Sequence, residues 1–274
     1  MKLESGSPRP IRARLMYGFS VLLAAQTASF REPSAHLYQK TYPLPPISTI
    51  AGIAGAACGL EFSQAWQYLK ENNIYLGVTG SCRGTGIDLW RYNKIAVPKS
   101  KEENEGAKKL NLVKILRNDI LNREFLYDTK FSLYYAAQNR DFVCRLAEAF
   151  KDPGYAISLG NSDDIAMVRS ISEVCDVTAT ATVSLKNTAV AGDISKDVGF
   201  DWDCLQKTSV SQTLRAPVIS KLIVDFEFKD MERKPINYQP FTFLFGEHIL
   251  RSPQPAYSFC GDVVPLYCIG DGQP

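Results

Sequence analysis

A polar, charge-rich stretch, PKSKEENEGAKKLNLVKILRN (98–118), interrupts a chain whose other segments are well patterned. It offers little to bury, so it contributes little to a core. Strand-like sequence lies on both sides, over 74–79 and 87–97 before it and over 125–137 after it. Loops longer than about 15 residues without regular structure are usually functional or disordered. We therefore expect an insertion at about 84–125 that protrudes as a basic hairpin or loop.

The segments around the insertion alternate between strand and helix. A strand precedes a Pro-rich corner, and a helix follows Pro46 with Ser48 or Thr49 as its cap. The order strand, helix, strand, insertion, strand, helix, strand predicts an α+β fold with a ferredoxin-like (RRM-like) domain. The remaining predicted elements are strands over 11–28, 155–159, 177–185, 220–228 and 241–250 and helices over 62–71 and 142–150.

These elements suggest a division of the chain into three parts. We expect a flexible leader over 1–10, a ferredoxin-like domain over 11–160 that carries the insertion, and a β-rich C-terminal region over 161–274. The last region alternates polar and apolar residues and carries several strand-like runs. We expect it to pack on the first domain.

Residues 9–29 allow two interpretations. Their basic start, apolar middle and small residues at the end are typical of a signal peptide. The alternative is the 11–28 strand, which we favour because no turn or linker follows the supposed cleavage point. No apolar run reaches the length of about 18 residues that a membrane span requires. We therefore expect no membrane association.

The cysteines and the charges limit the classes of function. The seven cysteines include no CxxC pair, so we expect no zinc ribbon, no cofactor and a reducing, cytoplasmic compartment.

The net charge is only +2, but residues 1–50 carry six cations against two anions, and residues 91–130 carry ten against six. Such asymmetry is typical of a polyanion-binding face, although an unevenly charged solvated surface gives the same pattern.

Two glycine-containing segments bear on binding. GIAGAACG (52–59) lacks the residues of a phosphate-binding P-loop and the spacing of a dinucleotide fingerprint. Its glycines share one helical face, which favours either tight helix–sheet packing or a helix N-terminus beside a phosphate. SCRGTG (81–86) predicts a flexible loop, and with Arg91 and Lys94 it combines cations, glycines and aromatic residues. That combination suits single-stranded RNA, although a hairpin with an exposed basic edge would carry it too.

Catalysis has little support in the sequence. His36 lies near Tyr38 and Lys40, and a Tyr/His/Lys set can cleave RNA by general acid–base chemistry on the 2′-hydroxyl. His248 falls in a predicted strand, where a structural role is expected. No HExxH, GxSxG or HxD pattern occurs. We therefore predict that the protein is not an enzyme, with a metal-independent endoribonuclease as the alternative.

Four motifs in combination resemble those of the Cas-five family of CRISPR-associated proteins. They are F-R-x-P with T-Y-P-L-P-P-x-S-T-I-x-G, then R-G-x-x-x-D-L-W, then R-E-F-L-Y-D, and finally DPGYAISLGNSDDI (152–165). The last resembles the family segment N-P-x-Y-x-L-x-L-G-R-S-E-D, with Asn161 where a basic residue is common. The resemblance covers about 15–170, and its spacing is most similar to type I-B.

The resemblance implies a non-catalytic subunit of Cascade, an RNA-guided surveillance complex of antiviral defence. Its implied partners are the 5′ handle of the guide RNA (crRNA), a backbone subunit of the Cas-seven family whose filament it caps, a large subunit of the Cas-eight family and, indirectly, target DNA. The insertion would be the family's thumb hairpin. The family's nuclease branch uses Tyr, His and Lys, but no Lys-His pair occurs in this insertion. The implied RNA-binding residues are Arg31, Tyr42, Arg83, Arg91, Lys94, Lys108, Lys109, Lys114, Arg123 and Lys130.

Overall fold

A computed structural model describes residues 15–35, 38–95, 115–199, 216–229, 232–259 and 261–269. Strands dominate it, and three helices lie within the described ranges. The helices are α1 (Ile47–Ala57), α2 (Phe62–Glu71) and α3 (Arg140–Ala149). The strands are β1 (Met16–Ala28), β2 (Tyr38–Gln39), β3 (Tyr75–Ile95), β4 (Ile115–Ala137), β5 (Met167–Ile171), β6 (Cys175–Lys186), β7 (Ala189–Ala191), β8 (Val198–Gly199), β9 (Val218–Lys229), β10 (Glu232–Phe243), β11 (Glu247–Phe259), β12 (Asp262–Val264) and β13 (Tyr267–Cys268).

Most strands join one large sheet, in the order β12-β11-β6-β1-β4-β3-β13. Three short strands attach beside this path: β2 pairs with β4, β5 with β1 and β8 with β11. Every pairing is antiparallel except that of β2 with β4. A second sheet has the order β7-β10-β9. The protein is therefore a mixed structure with a large antiparallel sheet and few helices.

The main core lies between the large sheet and the helices. The buried Phe19 of β1 stacks on Tyr135 of β4 at 5.4 Å and meets Phe150, which ends α3, at 6.0 Å. The hydroxyl of Tyr135 donates a hydrogen bond to the carbonyl of Ile50 in α1 at 3.1 Å. One face of the sheet thus carries α1 and α3, and residues 16–28 form the strand that the sequence predicts.

The described parts of the predicted insertion form the two arms of a β-hairpin. β3 and β4 pair from Tyr75 with Ala136 to Ile95 with Ile115, and the register shifts between Lys94 and Ile95. β1 accompanies β4 only as far as the pair Ala28 with Leu126, and the two-residue β2 takes its place further along. The hairpin therefore extends past the end of β1.

The expected flexible loop at 81–86 is wrong, because these residues belong to β3. Glycine usually signals a loop, but here Gly84 and Gly86 pair with Tyr127 and Phe125 of β4. A Cβ on Gly84 would lie 2.6 Å from the hydroxyl of Tyr127, and a Cβ on Gly86 would lie 2.5 Å from the ring of Phe125. The two glycines therefore leave room for aromatic side chains from the neighbouring strand.

Two other local predictions are wrong. No strand forms over 155–159, because Gly154 and Tyr155 donate their amides to the carbonyls of Ala57 and Ala56 and so cap the end of α1. Neither Ser48 nor Thr49 caps α1, which begins at Ile47 with Pro46 as its N-cap residue. Pro46 suits this place because proline lacks the amide that would otherwise need a partner.

The glycine face of α1 packs against another helix rather than against the sheet. A Cβ on Gly55 would lie 2.5 Å from the Cβ of Ala65 in α2. Gly59 follows the helix with φ of +69°, a left-handed conformation that suits glycine after a helix end. The α2 range agrees with the prediction from the sequence.

The expected reducing compartment would leave the cysteines as free thiols, but one of them is paired. Cys175 is disulfide-bonded, whereas Cys58, Cys82, Cys144 and Cys268 are free. Within the described ranges, no helix is long and apolar enough to span a membrane. The leader at 1–10 lies outside the described residues, and the division into 11–160 and 161–274 remains a prediction.

Candidate nucleic-acid interface

An open cavity of about 630 Å³ lies where three parts of the chain meet. They are the corner around Arg31, the first turns of α1, and the β9–β10 pair of the small sheet. The loop at 158–161 completes the lining. The cavity thus joins the regions of the first and the last of the four motifs to the C-terminal region of the chain.

Backbone pairing holds the corner in place. Arg31 bridges to Thr41, and the amide of Tyr42 donates to the carbonyl of Phe30 at 2.7 Å. The Phe30 ring anchors this pairing in the core, edge-on to Phe131 at 5.7 Å. Arg31 itself is exposed and lines the cavity. A cation on a fixed backbone is therefore available to a ligand.

Tyr42 lines the same cavity but is otherwise a core residue. It is 5% exposed, its ring stacks on Phe243 at 6.0 Å, and its hydroxyl donates to the carbonyl of Lys221 at 3.1 Å. Burial, together with the charge of Glu32, raises the pKa of the Tyr42 phenol to about 12. Tyr42 therefore forms part of the wall, and its ring face is already occupied.

The N-terminus of α1 also lies at the cavity. Ser48, Thr49 and Gly52 line it, and the first turn has neither a side-chain cap nor an acidic residue. Amides at a helix start lack partners within the helix and attract anions. The first turn of α1 thus adds a second positive feature to a cavity that contains Arg31.

A second wall of the cavity comes from β9 and β10, through Leu222, Ile223, Phe226, Arg233 and Pro235. Trp66 and Lys70 of α2 tie this wall to the rest of the protein by hydrogen-bonding to Asp225 at 3.3 and 2.9 Å. Burial alone would raise the pKa of Asp225, but hydrogen bonds from Lys70, the amide of Phe226 and Trp66 hold it below its usual value. Sequence reasoning missed Arg233, which no motif marks.

Among the described side chains of the hairpin, Arg83, Arg91 and Lys130 do not line the cavity. Arg83, Arg91 and Lys130 are exposed on β3 and β4. Lys94 lies on β3. Lys108, Lys109 and Lys114 lie outside the described residues.

Arg123 is the exception, because it is buried. Its Nη2 donates to Asp163 at 3.1 Å and lies 3.5 Å from Asp88, and its guanidinium stands 4.9 Å from the ring centroid of Trp90. These contacts favour an intramolecular role over a phosphate contact.

The alternative nuclease residues are only partly described. His36 lies outside the described residues, while Tyr38 and Lys40 lie in and beside β2. A hydrogen bond to the Glu124 carboxylate raises the pKa of the Tyr38 phenol. His248 is 3% exposed with its Nε2 2.9 Å from the carbonyl of Phe245, as a structural histidine would be. The described ranges contain no group of three or more His, Cys, Asp or Glu residues placed to hold a metal ion.

The chain is similar to several proteins of known structure. One is a chain of a CRISPR RNA-guided surveillance complex, with 13% identity, a TM-score of 0.48, and coverage of 85% of this chain and 91% of that one. A CRISPR protein from Archaeoglobus fulgidus has 12% identity, a TM-score of 0.48, and coverage of 90% and 98%. A chain of a type III-B Cmr-beta complex bound to cognate target RNA and AMPPnP has 15% identity, a TM-score of 0.40, and coverage of 85% and 86%.

Sequence comparison gives the family directly. No curated protein matches the sequence. The family described as CRISPR-associated protein (Cas_Cas5) matches residues 20–225, which is most of the chain. The match includes all four motifs that carry the resemblance, from the corner at Arg31 to the loop at 158–161. This protein therefore belongs to the Cas5 family of CRISPR-associated proteins.

Proposed function

We propose that this protein is a non-catalytic RNA-binding subunit of a type I Cascade complex and that it binds the 5′ handle of the guide RNA at the cavity. The observation that carries the proposal is the convergence of Arg31, Tyr42 and the first turn of α1 on one cavity. The resemblance to the family had implied that Arg31 and Tyr42 line one site and that the helix after Pro46 turns its N-terminus towards it. Family membership supplies the CRISPR context.

The chemistry of the cavity suits a bent single strand. Arg31 and the uncapped start of α1 favour phosphate, and Gly52 leaves space for a backbone to approach. Gly160 completes the wall in a left-handed conformation, with φ of +108°, where a Cβ would overlap the carbonyl of Ser29. Each feature acts on the sugar–phosphate chain and not on a reacting atom.

The proposal also includes the fold of the RNA-binding domain, the subtype and the partner subunits. The strand order β6-β1-β4-β3, with α1 and α2 between β1 and β3 and α3 after β4, supports a ferredoxin-like (RRM-like) domain whose β3–β4 hairpin is the thumb. We extend the proposal to type I-B, to a cytoplasmic complex, and to capping of the Cas-seven filament beside the Cas-eight subunit. Co-expression with candidate backbone and large subunits, followed by purification through a tag on this chain, tests the partners.

Arg31 provides the direct test of RNA binding. Fluorescence anisotropy would follow the purified protein titrated into labelled single-stranded repeat RNA at several salt concentrations. We expect Arg31→Glu to weaken binding roughly ten-fold and to reduce the salt slope by about one. Lys186→Glu is the matched control, since Lys186 is exposed on β6 and does not line the cavity. Equal affinities for the Arg31 variant and the wild type would contradict the proposed site.

The absence of catalysis needs its own test. The hydrogen bond to Glu124 raises the pKa of the Tyr38 phenol, which makes this group a poorer general base and supports a binding role. Repeat RNA incubated with the protein in the presence of a metal chelator should stay intact. Specific cleavage that disappears in His36→Ala would establish the endoribonuclease alternative instead.

A further inference from the structure

We propose that Arg233 of β10 forms a stacking platform for a nucleobase of the bound RNA. The β9–β10 pair would then be the second wall of the RNA-binding cavity, facing Arg31 and the start of α1. This inference rests on the proposed function and extends it to a part of the chain that no motif marks. The ligand group is a base of single-stranded RNA.

Arg233 lies at the end of a cluster of aromatic rings. Phe62 stacks on Trp66, with ring centroids 5.8 Å apart and an angle of 27° between the planes. The Arg233 guanidinium lies over Phe62 at 4.5 Å and reaches Phe226 at 5.2 Å. Phe226 packs edge-on against Phe62 and Trp66 at 5.3 and 5.0 Å. The rings therefore hold one side of the guanidinium.

The guanidinium remains available to a ligand. Arg233 is exposed and lines the cavity, and its cross-strand partner is Phe228 rather than an acid. Among the described residues, no carboxylate forms an ion pair with it. Guanidinium planes stack on unpaired bases in single-stranded RNA recognition, so an exposed and oriented guanidinium suits a base.

The strand pair that carries Arg233 is anchored to the rest of the protein. Asp225 of β9 accepts hydrogen bonds from Lys70 and Trp66 of α2, and the hydroxyl of Tyr42 donates to the carbonyl of Lys221. These contacts fix β9 to α2 and to the corner. A group that is already ordered loses little entropy on binding, which favours affinity.

The two walls offer complementary chemistry to a nucleotide. Arg31 and the α1 start attract phosphate, while Arg233 over Phe62 presents a flat cation to a base. The cavity volume of about 630 Å³ lies within the range of small-ligand sites, roughly 300–1,000 Å³. A nucleotide could therefore contact both walls at once.

The test separates stacking from charge. Labelled single-stranded repeat RNA and an abasic oligonucleotide of the same length would be titrated with the full-length chain by anisotropy. We expect Arg233→Ala to weaken binding of the repeat RNA roughly 5- to 100-fold and to change binding of the abasic strand far less. Arg233→Lys should stay weak on the repeat RNA, because lysine keeps the charge but has no planar group.

Lys234→Ala is the matched control, since it removes an exposed cation from the next position of β10. It should affect the repeat RNA and the abasic strand by the same small factor. Arg233→Lys also serves if Arg233→Ala unfolds, because the lysine stem still covers Phe62. Thermal unfolding of each variant checks the fold.

Three results would overturn the inference. Full repeat-RNA affinity in Arg233→Lys would show that Arg233 acts only as a charge. If both Arg233 variants bind with wild-type affinity while Arg31→Glu binds more weakly, Arg233 is not a stacking platform and the proposed function is retained. Failure of the wild-type protein to bind the repeat RNA would overturn the inference and the proposed function together.

Discussion

Arg123 joins two parts of the chain that lie far apart in sequence. Asp88 and Trp90 belong to β3, whereas Asp163 belongs to the loop after α3, next to cavity residues such as Asn161. The hydrogen bond from Arg123 lowers the pKa of the Asp163 carboxyl below its ordinary value, which favours the ionised form that pairs with the guanidinium. One side chain therefore fixes the base of the hairpin relative to a cavity wall.

Removal of Arg123 should destabilise the protein. We expect Arg123→Ala to lower the free energy of unfolding by about 1–3 kcal/mol, because a buried group that bonds to carboxylates and packs on Trp90 is lost. Urea denaturation measures the change. Lys130→Ala, an exposed cation on the same strand, should stay within about 0.5 kcal/mol of the wild type. Similar stabilities for both variants would mean that the Arg123 contacts contribute little.

Asp225 should make the free energy of unfolding depend on pH in the acid range. Its folded-state pKa lies below the ordinary value of 3.8, so the ionised carboxyl stabilises the fold above that value, and the benefit is lost as pH falls below it. We therefore expect Asp225→Asn to be less stable than the wild type at pH 7 and pH 5, with the difference narrowing as the pH falls below 3.8. Urea denaturation across this range measures both proteins.

Glu227→Gln is the control for that series, since Glu227 is an exposed acid on the same strand. It should stay within about 0.5 kcal/mol of the wild type at each pH. A gap between Asp225→Asn and the wild type that widens on acidification would contradict the assignment.

At the scale of elements, the contact between α1 and α2 depends on the absence of one side chain. Gly55 faces Ala65 so closely that any Cβ would overlap it, whereas a Cβ on Gly52 would lie 3.5 Å from the ring of Phe62. The same substitution should therefore have opposite effects at two positions of one helix. The α1–α2 contact also positions Phe62, which supports the proposed platform.

We expect Gly55→Ala to destabilise the protein by overpacking, which costs about 1–3 kcal/mol of unfolding free energy. The cost should lie near the upper end of this range, because both contacting atoms are rigid. Gly52→Ala should instead stabilise it by roughly 0.5–1 kcal/mol, since alanine is the better helix former. Thermal or urea unfolding compares the two variants. Equal destabilisation by both would show that the helix contact is not the cause.

Local patterns predict most of these elements well. The range of α2 and the strand β6 follow from periodicities that each segment carries within itself. The predictions of a loop at 81–86 and of a strand at 155–159 fail because contacts with residues elsewhere in the chain determine the structure there. Gly84 and Gly86 join a strand because rings from β4 occupy their space, and residue 155 instead caps α1.

The candidate site divides in the same way. Its first wall, at Arg31, Tyr42 and α1, comes from neighbouring motifs that resemble a family. Its second wall forms only because β9 packs on α2 through Asp225, a contact between distant parts of the chain. No local signal distinguishes Arg233 from the other charged residues near it, so only the structure identifies it.

At the scale of the whole molecule, the outer part of the β3–β4 hairpin extends beyond the other strands of the large sheet. Beyond the pair Trp90 with Leu121, the described side chains of Arg91, Asn93, Asn118 and Ile120 are exposed. Residues 91–120 carry eight cations against four anions. The outer hairpin therefore adds charge to the molecule, and its described side chains add little to the core.

We expect the outer hairpin to be removable without loss of the fold. Replacing 91–120 by Asn-Gly would join Trp90 to its partner Leu121 through a tight turn and would keep the contacts of Arg123. The thermal midpoint should change by only a few degrees, while the salt slope for repeat RNA should fall, since four net positive charges are lost. Arg31→Glu in the shortened protein should still weaken binding, because the cavity is unchanged. An unchanged salt slope would exclude the hairpin from the RNA-binding surface, whereas unfolding would show that the sheet needs its outer part.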